Sequence, residues 1–206
     1  MPIFKIAGKT ILFLHIPKAG GTSVEEFLSG YSEESFRMHH NTEGLPCVPQ
    51  HFHAALMAKL FAPDFFDYSF CVARNPYARI VSEYNYRMQH RHRPYRWFPK
   101  PKFETWLRAT LARYRHNPYI YSNHIRPQSA FRLPETRPFR LEDQVGLLMQ
   151  ELGALTGLRT PEALPHANRS KKGNAAISER SAELIYDFYR EDFETFGYER
   201  DSFRSA

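Results

Sequence analysis

The chain has 206 residues, with 28 Lys plus Arg against 22 Asp plus Glu, and a formal net charge of +6 with its ten His neutral. Its 42% apolar and 15% aromatic residues can build a core and exclude a disordered or low-complexity chain. Two Cys, in no zinc-type spacing, exclude a disulfide scaffold and read as reduced thiols.

The first clear element is ILFLHI (11–16), a continuous apolar run typical of a buried parallel strand. It is far shorter than the ~20 residues that cross a bilayer, so no transmembrane segment is expected. Lys5, Lys9 and Ala19-Gly20-Gly21 imitate a secretory signal, but the apolar stretch between them is too short for one and contains His15. The expected location is cytoplasmic. After PKAGG, TSVEEFL (22–28) places Val24, Phe27 and Leu28 at helical spacing, which completes a strand, Gly-rich turn and helix. SFCVA (69–73) is a second short strand. The helix after it carries Ile80, Val81, Tyr84 and Met88 on one face. TRPFR (136–140) reads as an edge strand, weakened by Pro138. Residues 141–157 read as an amphipathic helix ending near Gly153 or Gly157, and 177–198 as a helix capped by Ser178. This alternation predicts an α/β, three-layer, P-loop-like fold with a central parallel sheet, in a single domain over 1–206.

Two segments differ in composition. Residues 87–102 hold six Arg or Lys and no acid, interleaved with Tyr95, Trp97 and Phe98, and read as a basic loop. Residues 165–176 are polar and contain Lys171-Lys172-Gly173.

HIPKAGGTS (15–23) carries the most chemistry. Gly20 and Gly21 let backbone N–H groups approach an oxyanion, and a helix start adds free donors and partial positive charge. Lys18 adds a full charge, and Thr22 and Ser23 add hydroxyls, so the turn suits a phosphate or sulfate. It is not a Walker A loop, in which Lys follows the second Gly. Gly8-Lys9-Thr10 spells part of that motif but precedes the strand. Arg74 ends the second strand, where α/β sheets bind ligands, and Ser82 follows two helical turns later.

IPKAGGTS resembles the 5′-phosphosulfate loop of sulfotransferases that use PAPS, 3′-phosphoadenosine-5′-phosphosulfate. VARNPYARIVSEY (72–84) resembles their second signature, a strand ending in Arg followed by NP-x-x-R-x-x-S-x-Y. HIRPQ (124–128), FRLE (139–142), NRS (168–170) and the DF-x-x-FGY ending (192–198) are similar to carbohydrate sulfotransferases related to heparan sulfate 2-O-sulfotransferase. The chain looks like a compact bacterial-type member without the membrane anchor of the Golgi enzymes.

The resemblance implies transfer of a sulfuryl group from PAPS, leaving PAP, to a hydroxyl of a carbohydrate-type acceptor. Lys18, Ala19, Gly20, Gly21, Thr22 and Ser23 would hold the 5′-phosphosulfate. Arg74 and Ser82 would hold the 3′-phosphate, with Lys171, Lys172 and Gly173 folded over it. A surface ion pair for Arg74, a solvent-facing Ser82 and a solvated basic loop at 171–173 remain open alternatives. In-line displacement builds charge on the leaving phosphate, which Lys18 and the turn amides would stabilise.

The acceptor must lose a proton, and His is the usual base near neutral pH. His51-Phe52-His53 resembles the His-x-His of heparan sulfate 2-O-sulfotransferase, which makes His53 the base and His51 its support. His124, in HIRPQ, is the second candidate; His39, His40, His90 and His92 read as loop residues. No metal is required, and no HExxH or Cys pair suggests one. The basic aromatic segment suits an anionic acceptor, with Arg forks on carboxylates and Tyr95 or Trp97 against sugar faces, and a plain solvated loop is the open alternative. No nucleic-acid module is recognisable, so none is expected as a partner. The alternatives are a nucleotide kinase with an atypical phosphate loop and a non-catalytic module that binds nucleotide or anionic polymer.

Overall fold

The structure, a computed structural model, describes residues 1–32, 34–36, 42–62, 64–90, 99–161 and 176–204. Lys171, Lys172, Gly173, His39, His40, His92, Tyr95, Trp97 and Phe98, with the NRS run, lie outside the described residues. Among those described, five strands form one sheet: β1 (Ile3–Ile6), β2 (Lys9–Leu14), β3 (Glu34–Ser35), β4 (Tyr68–Ala73) and β5 (Arg137–Arg140), in the order β3-β1-β2-β4-β5. The helices are α1 (Gly21–Ser29), α2 (Ala54–Leu60), α3 (Pro76–Gln89), α4 (Phe103–His116), α5 (Val145–Thr156), α6 (Glu179–Phe188) and α7 (Arg190–Phe196).

Strands β2, β4 and β5 are parallel, as the alternation of strand and helix predicts. The sheet is not parallel throughout, because β1 pairs antiparallel with both β2 and β3. The reason is the connection. Ala7 and Gly8 join β1 to β2 with φ of 51° and 77°, a two-residue hairpin that matches strand twist and is too short for a crossover. Gly8 thus belongs to a hairpin, and Lys9-Thr10 open β2.

Along β2, side chains alternate between the two faces. Ile11 and Phe13 join Phe70, Val72 and Phe139 beneath α1 and α5, against Val24, Leu28, Leu148 and Leu152. Leu12 and Leu14 join Cys71 and Ala73 on the other face, against Phe52, Met57, Phe131 and Phe196. Both faces are covered, which is why the strand reads as an unbroken apolar run. A third cluster, Tyr77, Ile80, Trp106, Leu107, Ile185 and Phe193, binds α3, α4, α6 and α7 to one another.

Local chemistry sets the boundaries. Asn75 caps α3, its side chain accepting from the N–H groups of Tyr77 (2.9 Å) and Ala78 (3.4 Å), and Pro76 takes the first helical position. Helix α5 begins only at Val145, because Leu141 N–H still donates to Ala73 O (2.8 Å) and prolongs the strand ladder; it ends at Gly157, φ 71°. Ser178 caps α6 as expected. The expected single helix over 177–198 breaks at Tyr189, whose buried side chain donates to Ile125 O (2.8 Å). The break lets Ile185 serve the helical cluster and Phe196 the sheet. The basic segment is also partly helical, since Arg87–Gln89 belong to α3. Among the described residues no helix is long and apolar enough to cross a membrane.

Candidate active site

The C-terminal ends of β2 and β4 lie side by side, and each delivers a cation. After β2 the chain turns through Lys18 (φ 67°) and Gly20 (φ 81°) into α1. Gly20 sits at the N-cap without a side-chain cap, and no acid occupies the first turn, so the helix start keeps its positive character. Packing also bears on both glycines, more on Gly21 than on Gly20, whose neighbour is the end of a flexible side chain. A Cβ on Gly20 would lie 2.7 Å from Leu141 Cδ1, and one on Gly21 would lie 2.6 Å from His15 Cε1. Thr22 and Ser23 are half-buried in the first turn.

Arg74 follows β4. Its backbone is clamped by Gln128, whose Oε1 accepts from Arg74 N–H (2.9 Å) and whose Nε2 donates to Arg74 O (2.7 Å). Its guanidinium donates to Lys18 O (3.3 Å), joining the two strand ends directly. Glu142 accepts from Asn75 N–H (2.9 Å) and from Tyr198 O–H (2.7 Å), so the FRLE and FGY runs brace the turn that carries Arg74. Burial lowers the pKa of Arg74, opposed by Glu142. Burial also lowers that of Lys18, with Glu83 opposing and Arg74 and Arg87 adding to the effect. Ser82 is buried on α3.

Arg79, in NP-x-x-R, is a residue that the sequence expectations do not include. It is 3% exposed, and its Nε donates to Pro17 O (3.0 Å) while Nη2 donates to His124 O (2.9 Å). It therefore holds the anion turn and the HIRPQ segment in one frame. The motif's second Arg was the available signal.

The histidines divide into two neighbourhoods. His51 ends a 3-10 turn (Pro49–His51), and its ring lies between those of His15 (5.4 Å between centroids) and His124 (4.9 Å). Its Nδ1 donates to Ser122 O (3.0 Å). His124 Nδ1 contacts Glu83 Oε2 (2.7 Å), and the His124 ring rests against Tyr86 (6.2 Å between centroids). Lys18 Nζ stands 4.4 Å from that same Tyr86 centroid. His53 lies elsewhere: its Nε2 pairs with Tyr119 O–H (3.2 Å), and the nearby cations are Arg126 and Lys59. The backbone is extended at Phe52 and His53 after the turn, and Phe52 enters the core, so the two rings of His-x-His do not share contacts. The expected support of His53 by His51 is therefore not seen as a contact. Burial, aided by Arg126 and Lys59, lowers the pKa of His53 to about 4. Burial, with His124 and His15, holds that of His51 well below 6.5.

The segment before His124 is strained. Tyr121, Ser122 and Asn123 have φ of 53°, 55° and 68°, three successive residues in the left-handed region. Each costs on the order of 1–2 kcal/mol for an L-residue. Partners on 47–51 hold them: Asn123 Nδ2 donates to His51 O (2.9 Å), and Val48 N–H donates to Ser122 Oγ (3.0 Å).

A cavity of about 380 Å³ opens on α3, lined by Tyr84, Asn85, Met88, Lys100, Lys102, Phe103 and Ala176. Among the described residues no three His, Cys, Asp or Glu side chains gather as metal ligands would.

An anion turn and a strand-end arginine are joined at adjacent parallel strands. A family model described as the sulfotransferase family matches residues 4–199, nearly the whole chain, and the protein belongs to that family. It is accordingly a transferase of sulfuryl groups. No curated protein and no solved structure matches the chain.

Proposed function

We propose that the chain, as one domain over 1–206, transfers the sulfuryl group of PAPS to a hydroxyl of a carbohydrate-type acceptor. The supporting observation is the contact between Arg74 and the Lys18 carbonyl, which sets two cations at the mouth of the β2 turn. In this reading residues 18–23 hold the 5′-phosphosulfate, and Arg74 and Ser82 meet the 3′-phosphate. Ser82 is three residues from Asn85, hence on the same helical face, and Asn85 and Ala176 line the cavity on α3. Lys171, Lys172 and Gly173, which lie outside the described residues, cover the same phosphate in this reading. Lys100 and Lys102 favour an anionic acceptor or phosphate at that cavity.

The acceptor oxygen attacks sulfur as the bond from sulfur to the phosphate oxygen breaks, and PAP leaves. Lys18 and the turn amides meet the charge that grows on the departing phosphate. A histidine takes the acceptor proton; His53 by resemblance and His124 by its carboxylate contact are the two claimants. The compartment of this activity is the cytoplasm.

The test is a thermal-shift series. PAP raises the melting temperature without added metal, ATP with magnesium raises it much less, and Arg74→Ala loses most of the PAP shift, since a ligand stabilises only in proportion to its binding. A shift with magnesium-ATP and none with PAP would overturn the proposal.

A further inference from the structure

Three histidines stand near the anion turn, and they differ in what holds them. His51 leans on a backbone carbonyl. His15 has a carboxylate partner, Glu25, itself held by Gln50 Nε2 at 2.9 and 2.7 Å. Yet the His15 ring is closed in by Phe13, by His51 and by the backbone of Gly21. His124 combines a carboxylate on Nδ1 with an Nε2 that has no partner among the described residues. His53 has the opposite arrangement, since Tyr119 occupies its Nε2.

From this geometry we infer that His124 is the base that takes the acceptor proton and that Glu83 is its positioning residue. The inference rests on the sulfuryl-transfer reading above. Glu83 is fully buried, and both of its oxygens are engaged: Oε1 accepts from Arg87 Nε (2.6 Å) and Oε2 accepts from His124 Nδ1 (2.7 Å). The carboxylate has no freedom to turn, so it fixes the proton on Nδ1 and leaves the Nε2 lone pair for the acceptor. Burial opposes the charge on Glu83, but His124 and Arg87 hold its pKa down to about 2, so it stays ionised through the working range. The left-handed turn 121–123 and the Arg79 contact to His124 O set the backbone that presents the ring. Lys18 and His124 both rest against Tyr86, which places the group for the leaving oxygen and the group for the attacking oxygen around one side chain. In the step, the acceptor O–H proton passes to Nε2, its oxygen bonds to sulfur, and the bond from sulfur to the PAP phosphate breaks. The imidazolium formed is neutralised by Glu83.

The groups facing His124 are Glu83, Arg87 and Tyr86 from α3, Lys18 from the turn and His51 from the 3-10 turn. Burial lowers the His124 pKa and Glu83 raises it, with Arg87 and Lys18 lowering it further. Replacing Glu83 with Gln removes the raising charge, so the imidazole becomes less basic.

The experiment measures kcat against pH on a panel of uronic-acid and amino-sugar polymers for the parent, Glu83→Gln, Glu83→Asp, His124→Ala and His53→Ala. His124→Ala loses about 10²-fold or more in kcat. Glu83→Gln loses roughly 10-fold or more, moves the acidic limb to lower pH and keeps its PAP thermal shift, while Glu83→Asp recovers part of the rate. An unmoved limb in Glu83→Gln, or near-parent turnover in His124→Ala beside a dead His53→Ala, overturns the assignment. If PAP binds and no polymer is sulfated, nitrogen-15 NMR of the histidines decides: His124 holds its proton on Nδ1 and titrates lower in Glu83→Gln, and an unchanged titration overturns the pairing. A protein that fails to bind PAP fails the donor reading, and the same NMR titration still judges the pair separately.

Discussion

A guanidinium that bridges two carbonyls does what no ammonium can. Arg79 reaches Pro17 O through Nε and His124 O through Nη2, and its planar fork fixes the angle between the two segments. Lysine supplies one point donor on a flexible stem. Arg79→Lys therefore leaves one buried carbonyl without its donor, at a cost of about 1–3 kcal/mol in stability. The turn and the HIRPQ segment also lose their common frame, so the PAP-induced thermal shift shrinks although Arg79 is itself buried. Urea unfolding and PAP titration of the variant check both parts. A variant with parent stability and a parent PAP shift would remove Arg79 from this role. At this scale the sequence was informative about residue type and poor about partners. The positions of Lys18 and Arg74 just past the strand ends were legible because a strand end followed by Gly or Asn-Pro constrains where its neighbours go. The partition of the histidines was not, because it depends on contacts between residues some 70 positions apart, such as His51 with Ser122. His-x-His spacing cannot say whether the two rings diverge; that depended on a 3-10 turn ending at His51 and extended backbone after it.

The strand-turn-helix unit at 9–29 shows two glycines doing different things. Gly20 needs φ of 81°, a conformation that L side chains rarely adopt. Gly21 is helical, and there alanine would ordinarily be the better residue by about 1 kcal/mol. Here the sign reverses. A Cβ on Gly21 would sit 2.6–2.8 Å from three atoms of the His15 ring, and that ring is pinned by Glu25. Overpacking of this kind costs about 1–3 kcal/mol, more than the helix propensity returns. Gly21→Ala should therefore lower the urea midpoint, and a raised midpoint would show that His15 yields. Among the elements, β2, α1, β4, α3, β5 and α6 were legible from apolar runs, periodicity and caps. Helix α4 was equally legible from Phe103, Trp106, Leu107, Thr110 and Leu111, all buried, although the expectations include no helix there. Strand β1 and helix α2 were not: β1 has four residues, and α2 buries only Met57. Strand β1 takes its shape from pairing with β2 and β3, and α2 from packing Met57 against the sheet, rather than from local signal.

Across the whole molecule, the buried titratable groups tie stability to pH. His53 takes a proton near its ordinary 6.5 when unfolded but only at about 4 when folded, through burial and the charges of Arg126 and Lys59. His51 and His124 are shifted in the same direction. Between these limits the unfolded chain binds more protons than the folded one, so stability falls as pH drops from about 6.5 towards 4. Glu83 extends the trend: its folded pKa of about 2 lies below the ordinary 4.5, so its contribution is full above 4.5 and is lost as pH falls through 2. Asp192 works against this at the acid end, because burial raises its carboxyl and the folded chain takes up that proton first. The buried Met1 amino group, lowered by burial to about 4, adds to the three histidines, and together they oppose the single raised carboxyl of Asp192 above pH 4.5. The urea midpoint should then decline steadily from pH 7 to 4.5, and His53→Asn should make that decline shallower by removing one of these contributions. A midpoint that is flat over this range, or a His53→Asn slope equal to the parent's, would show that the buried histidines are reached by protons without unfolding.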